Sequence, residues 1–213
     1  MGQDAGVTEP RPSLVRGDDG VRRCWWGAST PDYAAYHDDE WGRPVVDDTR
    51  IFEKLCLEGF QSGLSWLTIL RKREGFRAAF ADFDIPEVAR FGDRDVARLL
   101  ADAGIVRHRG KIEAAIANAR AALDVQDAYG SLAALFWSYE PRRHPAPRSM
   151  ADMTSTTAES TALSKTLKQH GFRFVGPTTV YAAMQAMGVV NDHVVGCAAR
   201  GPCTQARKAL VVP

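Results

Sequence analysis

Apolar residues recur at intervals of three and four through most of this chain, and period-two alternation is nearly absent. A strand returns to the same face every second residue and a helix every third or fourth, so this spacing predicts an all-α fold. The runs are Ile51, Leu55 and Glu58; Trp66, Ile69, Leu70 and Phe76; Val96, Leu99 and Leu100; Ile112, Ala115, Ile116 and Ala119; Leu163 and Leu167; and Val180, Tyr181, Met184 and Met187. Their ends carry stop and start signals. Asp93 is expected to cap the third run and Gly104 to end it; Gly171 closes the segment from Thr161 to His170, and Pro177 opens the next in its first turn.

Residues 1–20 mix Gly, Pro, Asp and Arg without periodicity and are expected to be a mobile extension. A helical domain over 21–200 and a flexible tail over 201–213 follow. Residues 140–160 form the one long loop, which either divides two helical lobes or crosses a surface. No stretch approaches the roughly 18 apolar residues of a membrane span, and the start has no basic or apolar leader, so a cytoplasmic chain without a membrane partner is expected. With 27 basic against 26 acidic residues, the net charge of +1 declares neither a nucleic acid nor an acidic partner.

Four groups of residues carry chemistry. Cys24 and His37 in one segment, and His193 and Cys197 in another, supply two thiols and two imidazoles. His193 and Cys197 would share a face if their segment were helical, and the four together would make a closed tetrahedral zinc site joining the two ends of the domain. Two buried thiols and two ordinary histidines fit the spacing as well. Cys56 is assigned to the core and Cys203 to the surface.

Glu58 falls on the inward stripe of its helix, where a carboxylate must be paired or used. A helix-end position beside Arg71 or Lys72 is the plainer reading. The turn that follows, Gln61-Ser62-Gly63, suggests close approach of the backbone to something. Trp25, Trp26, Tyr33, Tyr36 and Trp41 are concentrated in one stretch and Trp66 follows Glu58; such density beside polar turns suggests a site that stacks a flat, preferably cationic ring. Last, Thr166 to Thr179 reads as helix, tight Gly-bounded hairpin and helix, in which Gly176 would free backbone N–H groups for a phosphate, although an ordinary helix connection looks the same. Arg107 to Lys111 and Arg71 to Arg73 are further basic turns, each equally readable as a solvated face.

Taken together, the segments Arg23-Cys24-Trp25-Trp26, Ala35 to Gly42, Leu57 to Trp66, Ala103 to Ile112, and Gly171-Phe172-Arg173-Phe174-Val175-Gly176 through Val190 to Cys197 closely resemble the DNA-3-methyladenine glycosylase I family. The resemblance covers about residues 21–198, with its motifs in family order. It implies a helix-hairpin-helix glycosylase fold and hydrolysis of 3-methyladenine from alkylated double-stranded DNA by a monomer, leaving an abasic site. One structural zinc on Cys24, His37, His193 and Cys197 is implied too. Glu58 matches the pocket carboxylate and is the expected catalytic group. Tyr36 matches a polar partner, Trp26 and Trp66 aromatic walls, and Tyr33 and Trp41 further lining. Arg109, Lys111, Arg173, Gly176 and Thr178 are the expected DNA contacts. Pro177, Ala182 and Ala183 stand where the family carries bulkier or hydroxylated residues. Asp192, beside a ligand, reads as structural. The rival readings are a zinc hydrolase with Glu58 as general base and a zinc-stabilised DNA-binding module without catalysis.

Overall fold

A computed structural model describes residues 12–213, so most of the expected N-terminal extension, residues 1–11, lies outside it. The described residues form the strands β1 (Leu14–Arg16) and β2 (Arg22–Cys24) and ten helices: α1 (Pro31–Asp39), α2 (Asp48–Gln61), α3 (Trp66–Ala79), α4 (Ile85–Ala89), α5 (Asp93–Ala101), α6 (Arg109–Tyr129), α7 (Leu132–Trp137), α8 (Ala158–Gln169), α9 (Pro177–Ala186) and α10 (Arg200–Ala209). The helical expectation holds except for a small antiparallel hairpin that pairs Leu14 with Cys24 and Arg16 with Arg22. Three-residue strands are too short to show an alternation. Residues 14–16, expected to be mobile, are held in that hairpin.

The molecule is built around α2, whose residues from Ile51 to Phe60 are all buried. A helix enclosed on every side must satisfy whatever charge it carries inside. Glu53 accepts from Arg50 at 2.5 Å and Arg77 at 2.7 Å, and Lys54 donates to Glu40. At the N-terminus of α2 the Asp48 carboxylate accepts from the backbone N–H groups of Leu132 and Ala133, both at 3.0 Å, and so caps α7 from outside. Phe60, Phe76, Phe80 and Phe83 pack ring against ring beneath α3, with centroids 4.6–6.3 Å apart.

Three expectations are corrected, and one open alternative is decided. The segment after 201 is α10, fastened by Arg207 to Glu140 and by Asn191 to the Arg200 carbonyl and Thr204. Cys203 on its inner face is 1% exposed, not a surface thiol. Asp93 is the first residue of α5 and not its cap: Gly92 is, with the Asp95 side chain accepting its N–H, and the helix ends at Ala101, before Gly104. The long loop does not separate lobes, since one apolar cluster runs from Ile51 to Val190 through helices on both sides of it. It crosses the surface of a single core, tied by Met150 N–H to Ser13 and by Val195 N–H to the Pro147 carbonyl.

Between α8 and α9 the chain reverses through Gly171, whose φ of +91° is costly for any side-chain-bearing residue. Asn118 of α6 clamps the turn from beneath, donating to the Arg173 carbonyl at 3.1 Å and accepting from its N–H at 2.7 Å. Ser164 donates to the Val175 carbonyl at 2.6 Å. With Gly176 as N-cap and Pro177 next, no side chain caps α9, and its first N–H groups are free for an external acceptor.

Candidate active site

Glu58 enters an open cavity of about 360 Å³ lined by Trp25, Trp26, Tyr33, Tyr36, Trp41, Gln61, Trp66, Met150, Met153, Ala182 and Gln185. Every aromatic residue singled out in the sequence lines it. Trp26 meets Tyr33, Tyr36 and Trp41 with ring centroids 5.5, 6.2 and 5.1 Å apart, and Tyr36 lies 5.4 Å from Trp66. The Tyr33 hydroxyl accepts from the Leu67 N–H at 3.0 Å, so that it also ties down the first turn of α3. The indole N–H of Trp66 is buried without a partner among the described residues, an uncommon state for a donor.

Glu58 is 7% exposed, and no hydrogen bond from the described residues reaches its carboxyl. Burial pushes its pKa up to about 8, opposed by the ammonium of Lys54. Neither Arg71 nor Lys72 is its neighbour: Arg71 pairs with Asp32 and Lys72 donates to the Ala103 carbonyl. A buried, unpaired carboxyl in an aromatic cavity is costly to the fold and so marks a site of use. Burial also holds Tyr36 far above the usual phenol range, with Glu58 and Glu40 adding to it, so Tyr36 is a hydrogen-bond donor here.

Behind the wall lies the second constellation. Cys24, His37, His193 and Cys197 are all buried, with their ligand atoms within 4.8 Å of one another. The separations are 3.2 Å between His37 Nε2 and His193 Nδ1, 3.4 Å from Cys197 Sγ to His37 and 3.5 Å to His193, and 3.8 Å from Cys24 Sγ to His193. Bonds of roughly 2.0–2.1 Å to nitrogen and 2.3 Å to sulfur give tetrahedral edges of about 3.3–3.8 Å. The four residues therefore fit one metal ion, and a complete protein ligand set leaves no position for water.

Each imidazole is aimed by its other nitrogen: His37 Nδ1 to Asp38 at 2.7 Å, and His193 Nε2 to the Trp41 carbonyl at 2.9 Å. Asp38 is itself gripped by Arg23. The interaction between the two thiols holds Cys197 down, with both imidazoles adding to it, and Cys24 up, so one thiolate stands ready and a bound cation would displace the proton of the second. Gly27 leaves room for this arrangement, since a Cβ there would come within 2.6 Å of the His37 ring. His193 and Cys197 do not share a helical face, because residues 191–199 are not helical; the fold brings them together by another route. Trp26 and Trp41 pack edge-on against His37 and His193 at 5.1 and 4.7 Å, so the cluster buttresses the cavity wall.

Of the expected DNA contacts, Arg109, Arg173 and Thr178 are exposed, and Gly176 stands at the open N-terminus of α9. Lys111 is corrected. It is 8% exposed, and its ammonium donates to the Phe60 carbonyl at 3.0 Å and the Ser62 carbonyl at 2.6 Å, closing the C-terminus of α2 beside Glu58. Asp192 accepts from Tyr181 at 2.6 Å, Gln185 at 2.7 Å and His144 at 2.5 Å, which fits the structural role read for it. Met150 and Met153 were missed because they stand in the long loop, where no periodicity assigns a face. Gln185 was missed too; nothing local marks a polar residue in an apolar run as a cavity residue.

The model of the family described as methyladenine glycosylase matches residues 25–200. DNA-3-methyladenine glycosylase 1 of Escherichia coli (strain K12) is 49% identical over 179 residues, which cover 83% of this chain and 96% of that protein. A crystal structure of 3-methyladenine DNA glycosylase I is 47% identical with a TM-score of 0.79, covering 83% of this chain and 98% of the other. A second, of a variant of that enzyme in complex with 3-methyladenine, is 38% identical with a TM-score of 0.78, covering 82% and 95%.

Proposed function

Because this chain belongs to the methyladenine glycosylase family, we infer that it removes 3-methyladenine from alkylated DNA by hydrolysing the N-glycosidic bond, leaving an abasic site. The observation that carries the reading is Glu58, a buried carboxyl without a hydrogen-bond partner among the described residues, set among aromatic rings.

A base joined to deoxyribose and methylated at N3 is cationic and leaves as a neutral molecule, so its bond is already weak. The protein has chiefly to extract the base from the duplex, at a cost of a few kcal/mol, and to recognise it. Trp26 and Trp66 offer π faces to the cation. Glu58, as the carboxylate, accepts from the N6 amino group of the base in a charge-assisted bond, and the Tyr36 hydroxyl completes that edge by donating to N7. Neutral adenine gains less from the same electron-rich walls, and this difference is the basis of selectivity. Ala182 adds a small apolar side chain to the cavity lining.

The open N-terminus of α9 and Arg173 supply N–H groups and charge for the backbone of duplex DNA, with Arg109 adding a further cation. To Leu64, an apolar side chain 42% exposed in the turn before Trp66, we assign the filling of the space that an extracted base vacates. The ion held by Cys24, His37, His193 and Cys197 is zinc, the metal suited to two thiolates and two imidazoles in a tetrahedron. Zinc supplies a fixed cross-link there, and the residues that act on the base are those of the cavity.

Chromatography of the bases released from methylated duplex DNA tests the assignment. Release of 3-methyladenine by the wild type and a loss of at least tenfold in Glu58→Gln are expected. Release of chiefly 7-methylguanine, or of no base, would refute it.

A further inference from the structure

Lys54 precedes Glu58 by one turn on α2, so the two side chains leave the same face of a helix that is buried along its length. Lysines are seldom taken inside a protein, yet Lys54 is only 8% exposed. Its ammonium donates to Glu40 of α1 and lies 5.9 Å from the centre of the Tyr36 ring, one wall of the cavity that Glu58 enters. The other oxygen of Glu40 accepts from Arg73 of α3 at 2.5 Å. The charged or titratable groups around Glu58 are thus Lys54 on its own helix; Tyr36 and, beyond its ring, Glu40 from α1; and Arg73 from α3, turned toward Glu40. From α6 comes Lys111, held on the carbonyls of Phe60 and Ser62, while α9 contributes the neutral amide of Gln185, donated to Asp192.

Among these, Lys54 is the cation that favours the carboxylate form of Glu58 against its burial. Its charge has no role in stacking or in edge recognition, and an apolar side chain would fill this buried position without the cost of desolvation.

We propose that Lys54 is a positioning residue for base excision: through the row Glu40, Lys54 and Tyr36 it sets the charge that Glu58 presents to the cationic base, and with it the pH at which the cavity captures that base. The proposal rests on the reading of Glu58 as the base-recognising group. In the empty cavity near pH 7 the raised Glu58 is mostly the protonated acid. Arrival of a cation favours the carboxylate, and the proton leaves to solvent through the open mouth of the cavity. Without Lys54 the acid form is favoured further, so capture requires a higher pH. Side chains one helical turn apart start about 5–6 Å from one another, and two unit charges at such a spacing, in surroundings of effective dielectric constant near 20, shift an ionisation by about one to two pH units.

The test uses the full chain with its metal bound, as wild type, Lys54→Met, Lys54→Arg and Glu40→Gln. Single-turnover release of 3-methyladenine from methylated duplex DNA is followed from pH 6 to 9.5. The Glu58 carboxyl is titrated by ¹³C NMR, its signal identified by its loss in Glu58→Gln. Lys54→Met is expected to raise both midpoints by about one pH unit, slowing release about tenfold at pH 7 and little at pH 9.5. Lys54→Arg should restore both midpoints. Glu40→Gln, which frees the ammonium from its partner, should move them down, and it keeps the proposal open to test if Lys54→Met does not fold. Midpoints unchanged in folded Lys54→Met, or moved up in Glu40→Gln, overturn the proposal. Absence of release by the wild type would sink the glycosylase reading instead, with the NMR titration still deciding what Lys54 does to Glu58.

Discussion

Removing the ion from the Cys24, His37, His193 and Cys197 cluster is expected to lower the melting temperature by roughly 10–20 °C. Two ligands come from β2 and α1 near the start of the domain, and two from the turns after α9. A bound ion therefore closes a loop of roughly 170 residues, and the chain-entropy relation for a cross-link of that span gives about 5 kcal/mol. For a chain of this length, each kcal/mol at the midpoint moves the transition by about 2–4 °C. The loss should not be confined to the cluster: His37 and His193 pack against Trp26 and Trp41, so the cavity wall loosens and free 3-methyladenine binds less tightly at temperatures where the protein is still folded. The measurement is scanning calorimetry of the metal-loaded protein, the chelated protein and Cys197→Ser, with metal content determined by atomic absorption on each sample. Chelation that strips a stoichiometric ion yet leaves the transition within about 2 °C would refute the cross-link argument.

Three further outcomes follow from individual residues. Glu58 keeps its proton in the folded state up to about pH 8, but an unfolded chain releases it near the ordinary glutamate value, so its contribution to stability falls as pH rises between those two values. Urea titrations of wild type and Glu58→Gln should therefore differ little at pH 4, while at pH 8 the variant should gain a few kcal/mol relative to wild type; a difference independent of pH would contradict this. Lys111→Met strips two carbonyls of their donor and should cost about 1–3 kcal/mol in denaturant titrations, with the salt dependence of DNA binding unchanged; a flatter salt dependence would restore Lys111 to the DNA face. Arg173→Ala should weaken binding of methylated and undamaged duplexes alike and reduce the log–log salt slope by about one in filter-binding titrations, and an undiminished slope would remove it from the phosphate contacts.

Helical spacing and capping signals made the all-helical class legible, together with the inward position of Glu58 and the aromatic density before it. These are local properties: a period of 3.6 residues needs no knowledge of what the helix packs against. The family motifs then named the walls and the ligands in advance, and the cavity contains every aromatic residue so named. Where local pattern misled, the cause was a contact made outside the segment itself. Residues 14–16 look formless until Cys24 and Arg22 stand beside them. Lys111 reads as belonging to a basic turn, but two carbonyls at the end of α2 draw it inward.

The amino-acid sequence by itself determined which side chains are available for chemistry and which helices present them, because both are written in composition and spacing. Only the tertiary structure decided their state. It joined Cys24 to Cys197 across the domain, brought Met150 and Met153 of the long loop to the cavity, and enclosed α2 on all sides. Among the described residues, that enclosure left Glu58 with no hydrogen-bond partner and Lys54 to oppose its burial. Burial and charge coupling depend on what surrounds a group in space, and no interval along a chain carries that information.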